Sequence, residues 1–141
     1  SSGTVPTQQV EDFRLAAYES DLRRLIGTYR EAGVTPVLVI HRNRFTEMES
    51  PEAKMWLRAW ERFYPQYTGD AIVKFDSVAA LRVAAVGADS AVTVVDPLSG
   101  LRSIGSAAFS DYSHLSSAGA AVVGGLAARA LGSTLCGKVN H

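Results

Sequence analysis

Asp111-Tyr112-Ser113-His114 stands directly before a small-residue segment. An Asp three residues ahead of a His can accept a hydrogen bond from one ring nitrogen and fix the tautomer. The other nitrogen is then free to take a proton from a hydroxyl nucleophile. A helix start just behind the pair would hold the His on a rigid element while exposing its ring. By itself the spacing is weakly specific. Both residues are common in loops, and a solvated loop with Asp111 making a local turn bond is the simpler reading of the bare pattern. The neighbouring hydroxyls do not supply a nucleophile in this reading. Ser113 adjoins His114 in the chain, and Ser116 and Ser117 are better used as helix caps.

A second polar group is His41-Arg42-Asn43-Arg44, at the end of an apolar run. His41 and Asn43 are candidate substrate-binding residues, because ligands of open α/β sheets bind beyond the carboxyl ends of the strands. The plainer alternative is a solvated loop with its arginines paired to Glu47 or Glu49. Asp96-Pro97 also follows an apolar run, and turn chemistry is its better explanation. Cys136 is the single cysteine, so no internal disulfide forms and no thiol-rich metal site is expected. No Gly-rich strand-to-helix phosphate loop is present, and no cofactor is expected.

The elements that must position these residues follow from hydrophobic periodicity. Val10 to Ala32 reads as a helix, with Gly33 as its stop. Val37 to Ile40 is a short β-branched run of the kind found in a strand covered on both faces. A second helix starts near Ser50-Pro51, with Ser50 as cap, and carries Trp56, Trp60, Phe63 and Tyr64 at helical spacing. Core packing is the main reading of that aromatic stripe. A third helix is expected with Asp70 as its cap and Gly87 as its stop, a second buried strand from Ala91 to Val95, and a Ser/Gly-rich loop over 97–110. A last helix runs from about Ala118 to Leu131, with Gly132 as its stop. Gly124 and Gly125 inside it suggest close packing.

The chain of 141 residues is long enough for one domain, and 47 % hydrophobic residues can build a core. Basic and acidic residues balance at 14 each. No basic run or stripe is visible, so a nucleic-acid partner is not expected. Uninterrupted apolar runs fall short of a membrane span, and the polar start lacks the apolar core of a signal peptide. The fold class is α/β. Only two strands can be found, and two strands cannot make a stable, doubly covered sheet. The expectation is therefore an incomplete domain: an irregular lead-in over 1–9, the C-terminal part of one α/β domain over 10–132, and a tail over 133–141.

The block "DYSHLSSAG" resembles the final block of the SGNH hydrolases, the GDSL-type esterases and lipases. Its His-Leu-Ser wording also resembles SGNH domains linked to acyltransferases that modify cell-surface sugars. Upstream, "YESDLRRLIGTYREAGVTPVLVI" and "FDSVAALRVAAVGADSAVTVVD" are similar to helix–strand units of that family, but only as general α/β pattern. The resemblance implies a three-layer α/β/α, flavodoxin-like fold. It implies His114 as general base and Asp111 as its orienting partner, in a Ser-His-Asp site acting on a small-molecule or carbohydrate ester. The family's Gly-Asp-Ser block and Gly-x-Asn-Asp block have no counterpart. Gly69-Asp70-Ala71 has Ala where Ser is needed, and Gly87 to Ser90 has an extra residue. The nucleophile is thus expected on an N-terminal segment or chain that completes the sheet, and a secreted or periplasmic location follows from the resemblance only. The alternative is a non-catalytic α/β module that binds a carbohydrate or protein partner. A nucleotide-binding domain is weakest, for want of a phosphate loop.

Overall fold

The structure is a computed structural model that describes residues 12–46 and 51–136. The protein is mixed α/β and mostly helical, with a small two-stranded parallel sheet. Helix α1 spans Asp12–Glu31. It ends where Gly33 adopts φ +73°, with Gly33 N–H donating to Arg30 O and Val34 N–H to Tyr29 O. This is the left-handed helix stop that glycine accommodates without Cβ strain. Strand β1 is Val37–Val39 and β2 is Thr93–Val95, paired in register with Leu38 opposite Val94. Parallel strands need a long crossover. Here it holds α2, Pro51–Phe63, and α3, Gly69–Asp89.

Helices lie against both faces of the sheet. Leu38, Ile40 and Val94 pack with Ala80 and Val83 of α3, and Ile26 of α1 packs with Val86 and Val92. Gly87 lets α3 approach the sheet: a Cβ there would lie 2.1 Å from Val94 Cγ2. It is therefore an inner helical residue and not the expected stop; α3 continues to Asp89. Its cap is Thr68, whose hydroxyl accepts from Ala71 N–H at 3.2 Å, and not Asp70. On the opposite face, Thr93 Oγ1 lies 2.8 Å from Thr134 Oγ1 of α5, Ser117–Cys136.

The expectation of strands covered on both faces holds only for part of the sheet. Val95 is buried, whereas its partner Val39 is 42 % exposed. On that side Val37 is half-buried and only Val39 is left open. The 97–110 segment, expected to be a loop, folds into α4, Leu98–Ile104, followed by a 3-10 turn, Gly105–Ala108. Its Ser and Gly content hides the helix, but Leu101 is buried against Ala108 and Phe109. Gly100 permits contact with α5, since a Cβ there would lie 2.7 Å from Val122 Cγ1.

Helix α5 runs past Gly132, which does not stop it. Among the described residues Gly124 meets nothing and Gly125 only the end of the Arg129 side chain, so neither marks the close packing expected of them. By length and composition α5 is apolar enough to cross a membrane, and only 6 % of its most apolar window is buried. Counting uninterrupted apolar runs missed this, because small residues dilute the helix without making it polar. Helix α2 likewise carries a basic stripe that a linear reading overlooks. Lys54, Arg58 and Arg62 recur every four residues and all three are exposed. The expected cap Ser50, and Glu47 and Glu49, lie outside the described residues.

Candidate functional site

The Asp111–His114 segment is built as a tight loop closed on itself. Phe109 and Leu115 form an antiparallel bridge, and Ser110 N–H donates to His114 O at 2.9 Å. Within it, Asp111 Oδ1 accepts the backbone N–H groups of both Ser113 and His114 at 2.8 Å. Its other oxygen, Oδ2, is 2.7 Å from His114 Nδ1. The carboxylate is thus held on one side by the backbone and presents the other to the imidazole. The local turn bond and the dyad coexist, because a carboxylate has enough acceptor sites for both.

This arrangement dictates the proton chemistry. An ionised Asp111 accepts from Nδ1–H, which leaves Nε2 as the basic nitrogen. Partial burial opposes the charge on Asp111. The His114 and Ser113 N–H groups and the His114 ring outweigh it and hold the carboxyl below its ordinary range. The His114 side chain is 75 % exposed, so its ring can be reached from solvent.

Helix α5 begins directly behind the loop. Ser116 is its cap, with Oγ accepting from Gly119 N–H at 3.1 Å and donating to Ala107 O at 2.5 Å. Gly119 sits where a Cβ would come within 2.1 Å of Ala108 O, so the helix start is seated on the preceding turn. The Ser110 hydroxyl donates to His114 O at 3.2 Å. Both hydroxyls are therefore engaged with backbone carbonyls, and neither bonds to the imidazole.

Two supports fix the loop from outside. Tyr112, between the dyad residues, stacks on Trp60 of α2 at 5.3 Å between ring centroids, and Trp60 stacks on Phe45 at the same distance. Phe63 meets Tyr112 at 5.7 Å in a tilted contact. Trp60 and, in part, Trp56 are thus packing, as the spacing suggests, and what Trp60 packs is the dyad loop, whereas Phe63 and Tyr64 stay largely exposed. Arg44 supplies the second support. Its N–H donates to Tyr112 O at 3.1 Å and its guanidinium to Phe109 O at 3.2 Å. The same guanidinium pairs with Glu52 and lies 5.2 Å from the Trp56 ring.

His41 and Asn43 lie on the same side of the molecule as the dyad loop. Asn43 is 4 % exposed, with Nδ2 donating to Asp76 of α3 at 2.5 Å and Oδ1 accepting from Phe45 N–H at 2.8 Å. Its amide is used at both ends to shape the loop after β1. His41 Nδ1 is 3.5 Å from Asp76 Oδ2. The Asp76 contact raises the His41 pKa above 6.5 against the effect of burial, with help from the Asp76 charge and the Ser113 carbonyl. The arginines do find acidic partners, Arg44 in Glu52 eight residues on and Arg42 in Asp96 across the sheet. Arg42 binds Asp96 through two bonds of 2.9 and 2.6 Å, tying together the ends of both strands. Arg42 chiefly, against burial, lowers the Asp96 pKa, and Asp96 Oδ1 also accepts Leu98 N–H at 3.0 Å, the turn role read from Asp-Pro.

Sequence reasoning missed Asp76 and the positioning role of Tyr112. Asp76 carries no motif, and only the fold brings it to His41. Tyr112 is visible in the sequence as the aromatic inside the Asp-x-x-His spacing, but its stacking partner lies 52 positions away. Among the described residues no cluster of His, Cys, Asp or Glu is arranged to hold a metal ion. Comparison with protein-family models, curated proteins and solved structures finds no match.

Proposed function

We propose that this chain carries the general-base part of an SGNH-type ester hydrolase or acyl-transfer site, with His114 as base and Asp111 as its orienting partner. The observation that carries the proposal is the 2.7 Å contact of His114 Nδ1 with a carboxylate already locked by two backbone N–H groups. In this reaction a serine hydroxyl attacks the ester carbonyl while His114 Nε2 takes its proton. Asp111 stabilises the imidazolium, which then protonates the departing alkoxide. The acyl group passes to water or to a sugar hydroxyl as the base takes the second proton. Helices against both faces of a parallel sheet, with the dyad loop beyond its carboxyl end, support the three-layer flavodoxin-like arrangement of that family.

The nucleophile and the oxyanion donors belong, in this proposal, to an N-terminal segment or partner chain that also extends the two-stranded sheet. The substrate is a small-molecule or carbohydrate ester. His41, whose side chain is 61 % exposed, flanks the dyad loop where such a substrate would lie, while Asn43 holds the loop in place. The test is p-nitrophenyl acetate hydrolysis and fluorophosphonate labelling of the full-length natural protein. The expected result is a labelled serine outside residues 1–141 and loss of turnover in His114→Ala. Turnover unchanged in that variant sinks the role of His114, and labelling within residues 1–141 sinks the placement of the nucleophile. A full-length protein with no turnover and no label, yet binding an oligosaccharide, supports the non-catalytic module instead.

A further inference from the structure

The outward face of α2 is chemically unlike the rest of this charge-balanced chain. Lys54, Arg58 and Arg62 form one row along it. Met55, Ala59 and Phe63 form the adjoining row, with Met55 59 % and Phe63 69 % exposed. The acidic residues of the helix do not neutralise this face. Glu52 pairs with Arg44, and Glu61 Oε1 accepts Gly69 N–H at 2.6 Å. The three cations make no ion pair among the described residues. Lys54, Met55, Arg58, Ala59 and Arg62 together line a shallow hollow.

We infer that α2 docks this face on an anionic lipid surface. A row of unneutralised cations beside a row of exposed apolar side chains matches the boundary between charged headgroups and acyl chains. An acidic protein would satisfy the cations, but it would give no reason for Met55 and Phe63 to stand open beside them. The helix is already braced by Trp60 and Ala53 in the core, so docking requires no ordering of the chain. Phe63 also touches Tyr112, so the docked face would end next to the dyad loop and hold it close to the lipid plane. The inference stands independently of whether the dyad is catalytic.

The test is co-sedimentation of the full chain with vesicles of phosphatidylcholine alone, or with about 30 % phosphatidylserine, at low salt. With ~1 kcal/mol per cation and tenfold per 1.4 kcal/mol, the anionic vesicles should bind roughly 100-fold more tightly. That preference should vanish in the triple variant Lys54→Gln, Arg58→Gln, Arg62→Gln and fall steeply at about 0.5 M salt. Met55→Ser should weaken binding to the anionic vesicles while leaving its salt dependence. All four substituted positions are exposed, and an unchanged circular dichroism melt shows that the fold survives. Equal binding to both vesicle types, which insertion of the apolar α5 would give, overturns the inference. So does anionic-vesicle binding that persists in the triple variant. Binding of polyglutamate without vesicle binding assigns the face to an acidic protein and also overturns it.

Discussion

Two His–Asp pairs lie on one side of this protein, and they are built in opposite ways. His114 and Asp111 are three residues apart, in contact at 2.7 Å, and belong to a single loop. His41 and Asp76 come from different elements and approach only to 3.5 Å. In the first pair the Asp carboxylate is held by backbone N–H groups of the same loop, so its geometry is set locally. In the second, Asp76 is shared with the buried amide of Asn43, so the pair depends on how the loop after β1 docks on α3. The local pair leaves an exposed imidazole with a free nitrogen, which suits proton transfer. The long-range pair is a brace with a titratable end.

The largest expected effect tests the local pair as chemistry. In the full-length protein, His114→Ala should reduce ester turnover by at least about 10³-fold without lowering the melting temperature. Asp111→Asn should also be severe, because it loses both the charge and the fixed tautomer. An activity loss of less than tenfold in both would place the base elsewhere.

Next is the brace that both loops share. Trp60→Ala removes the ring stacked between Phe45 and Tyr112 and should cost about 3–5 kcal/mol in urea unfolding. Its crosspeaks should shift at Tyr112 and His114, and chemical shifts unmoved at those residues would show that the stack does not position the dyad. Gly119→Ala forces a Cβ against Ala108 O and should cost about 1–3 kcal/mol, with His114 displaced along with the start of α5. Ser116→Ala removes the cap at the same place and should cost about 1 kcal/mol.

The smallest effect separates the two pairs by pH. Asp111 has a lowered pKa in the folded state, so its contribution to stability is present above the ordinary carboxylate value near 3.8. That contribution is lost as pH falls through the lowered value. His41 has the opposite sign. Its raised pKa contributes stability below 6.5, and this is lost as pH rises through the folded value. In an NMR titration, Asp76→Asn should bring the His41 midpoint down. A His41 midpoint unmoved in that variant would show that the Asp76 contact is not what raises it.

The same contrast explains what could be read without the fold. The dyad was legible because its geometry is local. The stops at Gly33 and Asp96-Pro97 and the helical spacing of Trp56 and Trp60 are local as well. Helix α4 was not legible, since Ser and Gly argue for a loop and only the burial of Leu101 overrides them. Gly87 and Gly132 read as helix stops, yet both are helical. Gly87 is there to let α3 meet Val94, a reason that lies across space. Gly124 and Gly125 err in the other direction: they suggest close packing where, among the described residues, only the end of the Arg129 side chain comes near.

The sequence by itself determined the α/β class, the two strands and the Asp111–His114 pair, because each depends on side-chain periodicity or on groups within three residues. Tertiary structure alone decided that Tyr112 stacks on Trp60, that Arg44 ties the dyad loop to α2, and that His41 stands beside Asp76. Those contacts join residues eight to sixty-eight positions apart. They form only when burial of Phe45, Ala53 and Trp60 has brought the elements together, and no local spacing encodes that.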